Sequence, residues 1–263
     1  MAPAISDAAI VAILRPFVRA SGPLLDGLRD ADPFGLAGRL QGGEPDETER
    51  KLKDKVLDFV AARRMPGTSA WRRMTPEQRT KWWVDRMGRF TTLVASVPGL
   101  GGVWADRLPV SDAVGAASQG LLLCAIAGEY GIDDTGERVR LLAKVLFRRT
   151  LSPAVASGRT EDSADEDKRT DELTEDIGAK HSRGISLKAA ASAVFKLGKA
   201  LWSVTDELEK RPRGRWYHRL LGMVPIVGML ADYLGERSAL KRAAKQAVRW
   251  ITSQQTGALS GGN

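Results

Sequence analysis

Three uncharged stretches constrain what this chain can fold into. Residues 90–105 (FTTLVASVPGLGGVWA) and 113–128 (AVGAASQGLLLCAIAG) each run sixteen residues without a charge, and residues 220–231 (LLGMVPIVGMLA) run twelve. A helix that spans a bilayer needs about 20 mostly apolar residues, because each adds ~1.5 Å toward a ~30 Å hydrocarbon core. The stretches are short for that task and too apolar to be left in water. They suit a buried helix of a bundle, a re-entrant hairpin or a shallow interfacial insertion better than a span. Two of them carry a central proline, Pro98 and Pro225, with Gly99, Gly101, Gly102 and Gly228 close by. A proline removes a backbone hydrogen bond, so each element reads as a bent, hairpin-like apolar tip.

The rest of the pattern is helical. Ile10, Ile13, Leu14 and Phe17 keep helical spacing, and Leu24, Leu25 and Leu28 continue it past Pro23. Leu52, Val56, Phe59 and Val60 form a stripe within residues 46–64, which ends at Pro66-Gly67. Thr75 followed by Pro76, Glu77 and Gln78 is a helix start, with an N-cap, a first-turn proline and first-turn polar residues. Amphipathic helices are expected over 137–147 and 186–209, and a basic one over 236–251. No series of strands is evident, so the expected class is all-α: a multi-helix bundle with short apolar, proline-broken hairpins. The expected organisation is an N-terminal helical region with an apolar hairpin (1–150), a flexible acidic linker (151–184), a basic C-terminal helical region (185–252) and a disordered tail (253–263).

Charge is distributed unevenly along these regions. The 263 residues carry a formal net charge of +8. Residues 159–183 nevertheless hold nine acids and five bases, whereas residues 184–263 hold thirteen bases and five acids. The acidic run reads as a solvated linker. Sustained positive charge attracts polyanions, either nucleic acid or an anionic membrane surface.

Little points to chemistry. The single cysteine, Cys124, excludes an intramolecular disulfide and any multi-cysteine metal site. It lies among Leu122, Leu123 and Ile126, where a thiol acts as a small hydrophobe. His181 and His218 stand in unrelated contexts, and the glycines at 99–102 and 222–228 lack the lysine and hydroxyl of a phosphate loop. Asp133 and Asp134 read as helix caps. The expectation is a chain without catalytic residues, metal or cofactor. Residues 1–14 lack the basic opening of a secretory signal, since Asp7 precedes the apolar run.

An internal echo bears on the partner. VPGLGGVWADRL at 97–108 and VPIVGMLADYL at 224–234 share Val-Pro-x-x-Gly followed by Ala-Asp-x-Leu. Trp82-Trp83 followed by Arg86, and Trp216-Tyr217 followed by Arg219, repeat a pair of aromatics with an arginine. Paired rings and guanidinium groups beside an apolar stretch form the belt expected at a membrane interface. Trp82, Trp83, Arg86, Trp104, Arg211, Arg213, Arg215, Trp216, Tyr217 and Arg219 are therefore the candidate interface residues. An ancestral duplication packed inside a helical core would produce the same echo.

The segment 108–146, LPVSDAVGAASQGLLLCAIAGEYGIDDTGERVRLLAKVL, resembles the central part of the bacterial EcsC family through Pro109, Asp112, Ala127, Tyr130, Gly131 and Asp133. The C-terminal VPIVGMLADYLGERSALKRAAKQAVRWI is similar to that family's closing Pro-x-x-Gly element and basic helix. The resemblance covers about residues 90–150 and 215–252, and leaves out residues 1–80 and the acidic run. It implies an association with membranes, transporter operons and envelope maintenance, and it implies no reaction. The leading expectation is a non-catalytic, helical interaction protein docked on the cytoplasmic face of an anionic membrane, with other envelope proteins as further partners. The alternatives are a basic nucleic-acid-binding protein and a soluble scaffold or regulatory partner.

Overall fold

The computed structural model describes residues 6–29, 66, 69–97, 110–158, 162–178, 185–209 and 228–260, with the side chains at 203–209, 228–237 and 257–260 left aside. Among the described residues there are nine helices and no strand: α1 (Asp7–Arg29), α2 (Ser69–Arg72), α3 (Pro76–Ala95), α4 (Val110–Glu129), α5 (Thr135–Phe147), α6 (Pro153–Ala156), α7 (Ser163–Gly178), α8 (Leu187–Glu209) and α9 (Gly228–Ser260). The all-α expectation holds.

Helix α4, which carries the second uncharged stretch, is the axis of the bundle. Every residue from Ala113 to Ala127 except Ala116 is buried. A helix that is apolar all round has no face to give to water and must be enclosed. Helices α1, α3, α5, α8 and α9 all pack against it. Each supplies one apolar stripe, such as Ile10, Leu14 and Phe17 from α1, or Trp83, Met87 and Phe90 from α3. Both α1 and α4 are long and apolar enough to cross a membrane, and both are largely wrapped by neighbouring helices here.

Close approach between helices depends on small residues. At Gly198 on α8, an added Cβ would run into the Ala113 carbonyl, with Ala113 Cα only 2.9 Å away. The two backbones therefore touch where α8 crosses the start of α4. The same packing joins the N-terminal and C-terminal parts of the chain in one core.

Local signals set the helix ends. Thr75 caps α3 in a capping box, its hydroxyl accepting from Gln78 N–H while the Gln78 side chain accepts from Thr75 N–H. Helix α4 stops at Gly131, whose φ of +76° is ordinary for glycine, and Ile132 N–H closes back onto Ala127 C=O at 2.9 Å. Asp134 then caps α5 by accepting from Glu137 N–H at 2.8 Å. The Tyr-Gly-x-Asp turn is thus an α4 stop followed directly by an α5 start. Helix α1 runs unbroken through Pro16 and Pro23.

Two boundaries differ from expectation. Within the supposed flexible linker, residues 163–178 form helix α7, docked on α1 and α8. Arg15 meets Glu166 at 2.6 Å, and Arg19 reaches Glu166 at 3.1 Å and Asp167 at 2.6 Å. Arg169 donates to Ala12 C=O at 3.0 Å. On the other flank, Lys196 holds Asp176 at 2.8 Å and Ser192 donates to the same carboxylate at 2.7 Å. Distant cations thus convert an acidic run into a packed helix, with Ile177 as its buried apolar contact. The tail expected to be disordered from 253 instead continues α9 to Ser260. Residues 46–64, expected to be helical, lie outside the described residues.

Two predictions follow from this packing. Gly→Ala within a helix ordinarily stabilises by about 1 kcal/mol. Gly198→Ala should instead destabilise by about 1–3 kcal/mol in urea titration, because backbone cannot yield to the new methyl. Gly88→Ala on α3, whose Cβ would meet only Leu240 Cδ1 at 3.8 Å, should stabilise. Equal effects at both sites would contradict the close approach.

Asp176 tests the α7 clamp. The hydrogen bond from Lys196, aided by Ser192, holds the Asp176 carboxyl below the usual carboxylate range against the opposing effect of burial. A lowered pKa contributes stability that is present above the unfolded value and lost as pH falls through the folded one, here in the acid range below about 4. Amides of α7 should therefore lose hydrogen-exchange protection in acid before those of α4. Simultaneous loss, or an α7 indifferent to acid, would contradict the clamp.

Candidate anionic-surface docking face

The expected interface residues separate in the structure. Trp83 is 0% exposed and Arg86 2%, while Trp82 is packed against the core. Trp83 and Arg86 are interior groups, contrary to a place in an interfacial belt. Trp83 Nε1 donates to Glu129 Oε1 at 3.0 Å at the end of α4, and Arg79 pairs with the other oxygen at 3.4 Å. Arg86 Nε donates to Leu28 C=O at 3.2 Å, satisfying a carbonyl at the end of α1. The guanidinium groups of Arg29, Arg79 and Arg86 lie 5.5–5.6 Å over the Trp83, Trp71 and Trp82 rings respectively. Aromatic-arginine adjacency here serves cation–π stacking that joins α1, α2 and α3. Pro98, Gly99, Gly101, Gly102, Trp104, Arg211, Arg213, Arg215, Trp216, Tyr217, Arg219 and Pro225 lie outside the described residues. Gly228 opens α9.

Helix α9 carries an exposed cationic face. Ala243, Ala244, Ala247 and Ile251 pack inward, with Leu240 fully buried beside them. Lys241, Arg242, Lys245 and Arg249 project outward on the opposite side. None of these four has an ion-pair partner among the described residues. Helix α9 packs on α3, α4 and α5, whereas the acidic helix α7 packs on α1 and α8. The two charged faces therefore flank a common core and do not neutralise each other. Arg140 braces the base of the cationic helix, stacking 5.6 Å over Trp250 and pairing with Glu137 at 2.8 Å.

This geometry can attract an anionic surface through mobile cations held on a rigid, apolar-backed helix. The α9 signal was present in the sequence as bases spaced three and four apart between alanines. These bases lie within the basic amphipathic helix expected over 236–251, although none of the four is among the candidate interface residues.

Among the described residues no group of three His, Cys, Asp or Glu side chains is placed to hold a metal ion. Cys124 is buried in α4, and burial pushes its thiol up to about 11, with Ser21 and Arg138 opposing weakly. Only thiolate attacks disulfides and alkylators. Cys124 should therefore resist a thiol-specific disulfide reagent at pH ~8 in the native protein and react fully once denatured. Rapid native reaction would mean that α4 is not enclosed.

No family model, curated protein or solved structure matches the chain.

Proposed function

We propose that this chain is a non-catalytic, peripheral membrane-docking protein that settles on anionic headgroups at the cytoplasmic face of a bacterial membrane through the basic face of α9. The observation that carries the reading is the set of four exposed cations, Lys241, Arg242, Lys245 and Arg249, on one side of one helix with no acidic partner among the described residues. Each cation held near an anionic surface contributes roughly 1 kcal/mol, decaying over a Debye length. Four together give an attachment that is reversible and salt-sensitive. The resemblance to the EcsC family and its envelope setting points the same way. Arg211, Arg213, Arg215 and Arg219, with the apolar sequence around Pro98 and Pro225, would extend the contact by adding charge and shallow apolar anchorage.

Sedimentation with vesicles tests this reading. The protein should pellet with phosphatidylglycerol-containing vesicles and stay in solution with neutral phosphatidylcholine. The variant with Lys241, Arg242, Lys245 and Arg249 all changed to Gln should lose roughly ten- to a thousand-fold in affinity. Salt at ~0.5 M should release the unmodified protein. Undiminished binding by the variant would overturn the assignment to α9. Tight, salt-sensitive binding to a DNA duplex with no vesicle binding would replace the membrane by nucleic acid.

A further inference from the structure

Two adjoining hollows lie along α1 and α7. One, of about 460 Å³, is floored by Ala8, Ala9 and Ala12 and walled by Ala154 and Val155. The other, of about 480 Å³, continues past Ala12 toward Ile13, Pro16 and Leu173. Val155 is the only large hydrophobic residue that is exposed among those described, at 40%. The floor is small and apolar, and the rim is acidic. Asp162 and Asp165 edge the first hollow and Glu172 the second. All three are exposed, and none has an ion-pair partner among the described residues. Arg15 is neutralised by Glu166 and also donates to Ala156 C=O, whereas Arg169, which lines both hollows, donates to Ala12 C=O and keeps its charge, so three exposed acids outweigh one cation at the rim.

A shallow alanine floor cannot hold a bulky apolar side chain deeply, but it suits the aliphatic stems of lysine and arginine with their charged heads at the rim. A face of that chemistry exists on the same molecule, as Lys241, Arg242, Lys245 and Arg249 of α9. It lies on helix packing distinct from that of α7, so it is available to another molecule. We infer that the α1–α7 groove receives the basic face of α9 from a second copy of this chain. The two surfaces differ, so the contact is head-to-tail: each copy offers one groove and one basic helix. Repetition of such a contact extends into chains unless the rotation closes a ring. The inference does not rest on the membrane reading, although an anionic membrane would compete for the same helix face.

Charge reversal in two halves provides the test, read by sedimentation velocity at ~50 mM and ~500 mM salt. The unmodified protein should gain average mass with concentration at low salt and lose it at high salt. A groove variant, Asp162→Lys, Asp165→Lys and Glu172→Lys, should be monomeric alone. So should a helix variant, Lys241→Glu, Arg242→Glu, Lys245→Glu and Arg249→Glu. Mixed in equal amounts they should associate, because each reversed surface now meets an oppositely charged one. If the groove variant loses helical circular dichroism, the milder Asp165→Asn and Glu172→Gln pair serves instead and should weaken association. The milder Asp165→Asn and Glu172→Gln pair keeps α9 intact and adds no cation, so it should bind anionic vesicles at least as well as the unmodified protein, and failure of assembly and failure of membrane docking are separately visible. A monomer at every concentration, association that survives both reversals, or a mixture that stays monomeric would each overturn the inference. Binding of a lysine-rich peptide in the groove of a protein that never self-associates would assign the groove to a foreign partner.

Discussion

Enclosure of α4 is the constraint on which the rest of the molecule depends. A helix buried on nearly every side satisfies its own backbone hydrogen bonds but offers no surface to water, so its surroundings must be complete. Five helices meet that demand, and each is amphipathic because one side is committed to α4. The demand is geometric as well as chemical. The first half of α4 is built of Ala113, Gly115, Ala117, Ser118 and Gly120, which lets neighbours come close, whereas Leu121, Leu122, Leu123 and Ile126 fill the second half. Phe17 lies directly over Gly120, where a Cβ would clash with the ring, meeting Cε1 at 2.8 Å and Cζ closer still, and Gly198 brings α8 onto the backbone of Ala113. Two of the hydroxyls inside pair with each other: those of Thr91 and Ser118 sit 2.7 Å apart where α3 crosses α4.

With the core fixed, charge is what distinguishes one side of the molecule from another. Helix α7 contributes little apolar area and is held chiefly by Arg15, Arg19 and Lys196. Only part of its acidity is consumed in that way. Helix α9 is attached by an alanine-rich stripe and keeps its four bases for the exterior. A rigid body that carries its acidic and basic faces on separate helices orients in the field of a charged surface before it touches it. The proposed docking on anionic headgroups and the proposed head-to-tail pairing between copies both draw on that separation of charge.

Much of this architecture was legible in the sequence, and the parts that were not share one cause. Thr75 and Asp134 act through neighbours three residues away, so their caps could be read directly. The uncharged stretch at 113–128 reads as short for a span and too apolar for solvent, with burial one of its three outcomes; the 20-residue helix it forms is long enough to cross but is enclosed by its neighbours. The acidic run misled because its partners are remote: Arg15 and Arg19 lie about 150 positions from Glu166. Composition shows the unpaired acids and hides the cations that will meet them. The Trp82-Trp83 and Arg86 cluster misled for a related reason, since rings beside arginines look the same at a headgroup boundary and in a buried cation–π stack. Only the partners Glu129 and Leu28, supplied by other helices, separate the two.

Helix α4 is the enclosed axis of the bundle, and that enclosure should persist both in buffer and against a membrane surface. Hydrogen exchange of the α4 amides in buffer without detergent, repeated with bound anionic vesicles, tests it most directly. Residues 113–127 should be the slowest-exchanging segment in both conditions, opening only with global unfolding, while vesicles slow exchange chiefly in α9. Rapid exchange of α4 in buffer, with protection appearing only when lipid is added, would show that the apolar helix belongs in the bilayer and would overturn its place as the enclosed axis.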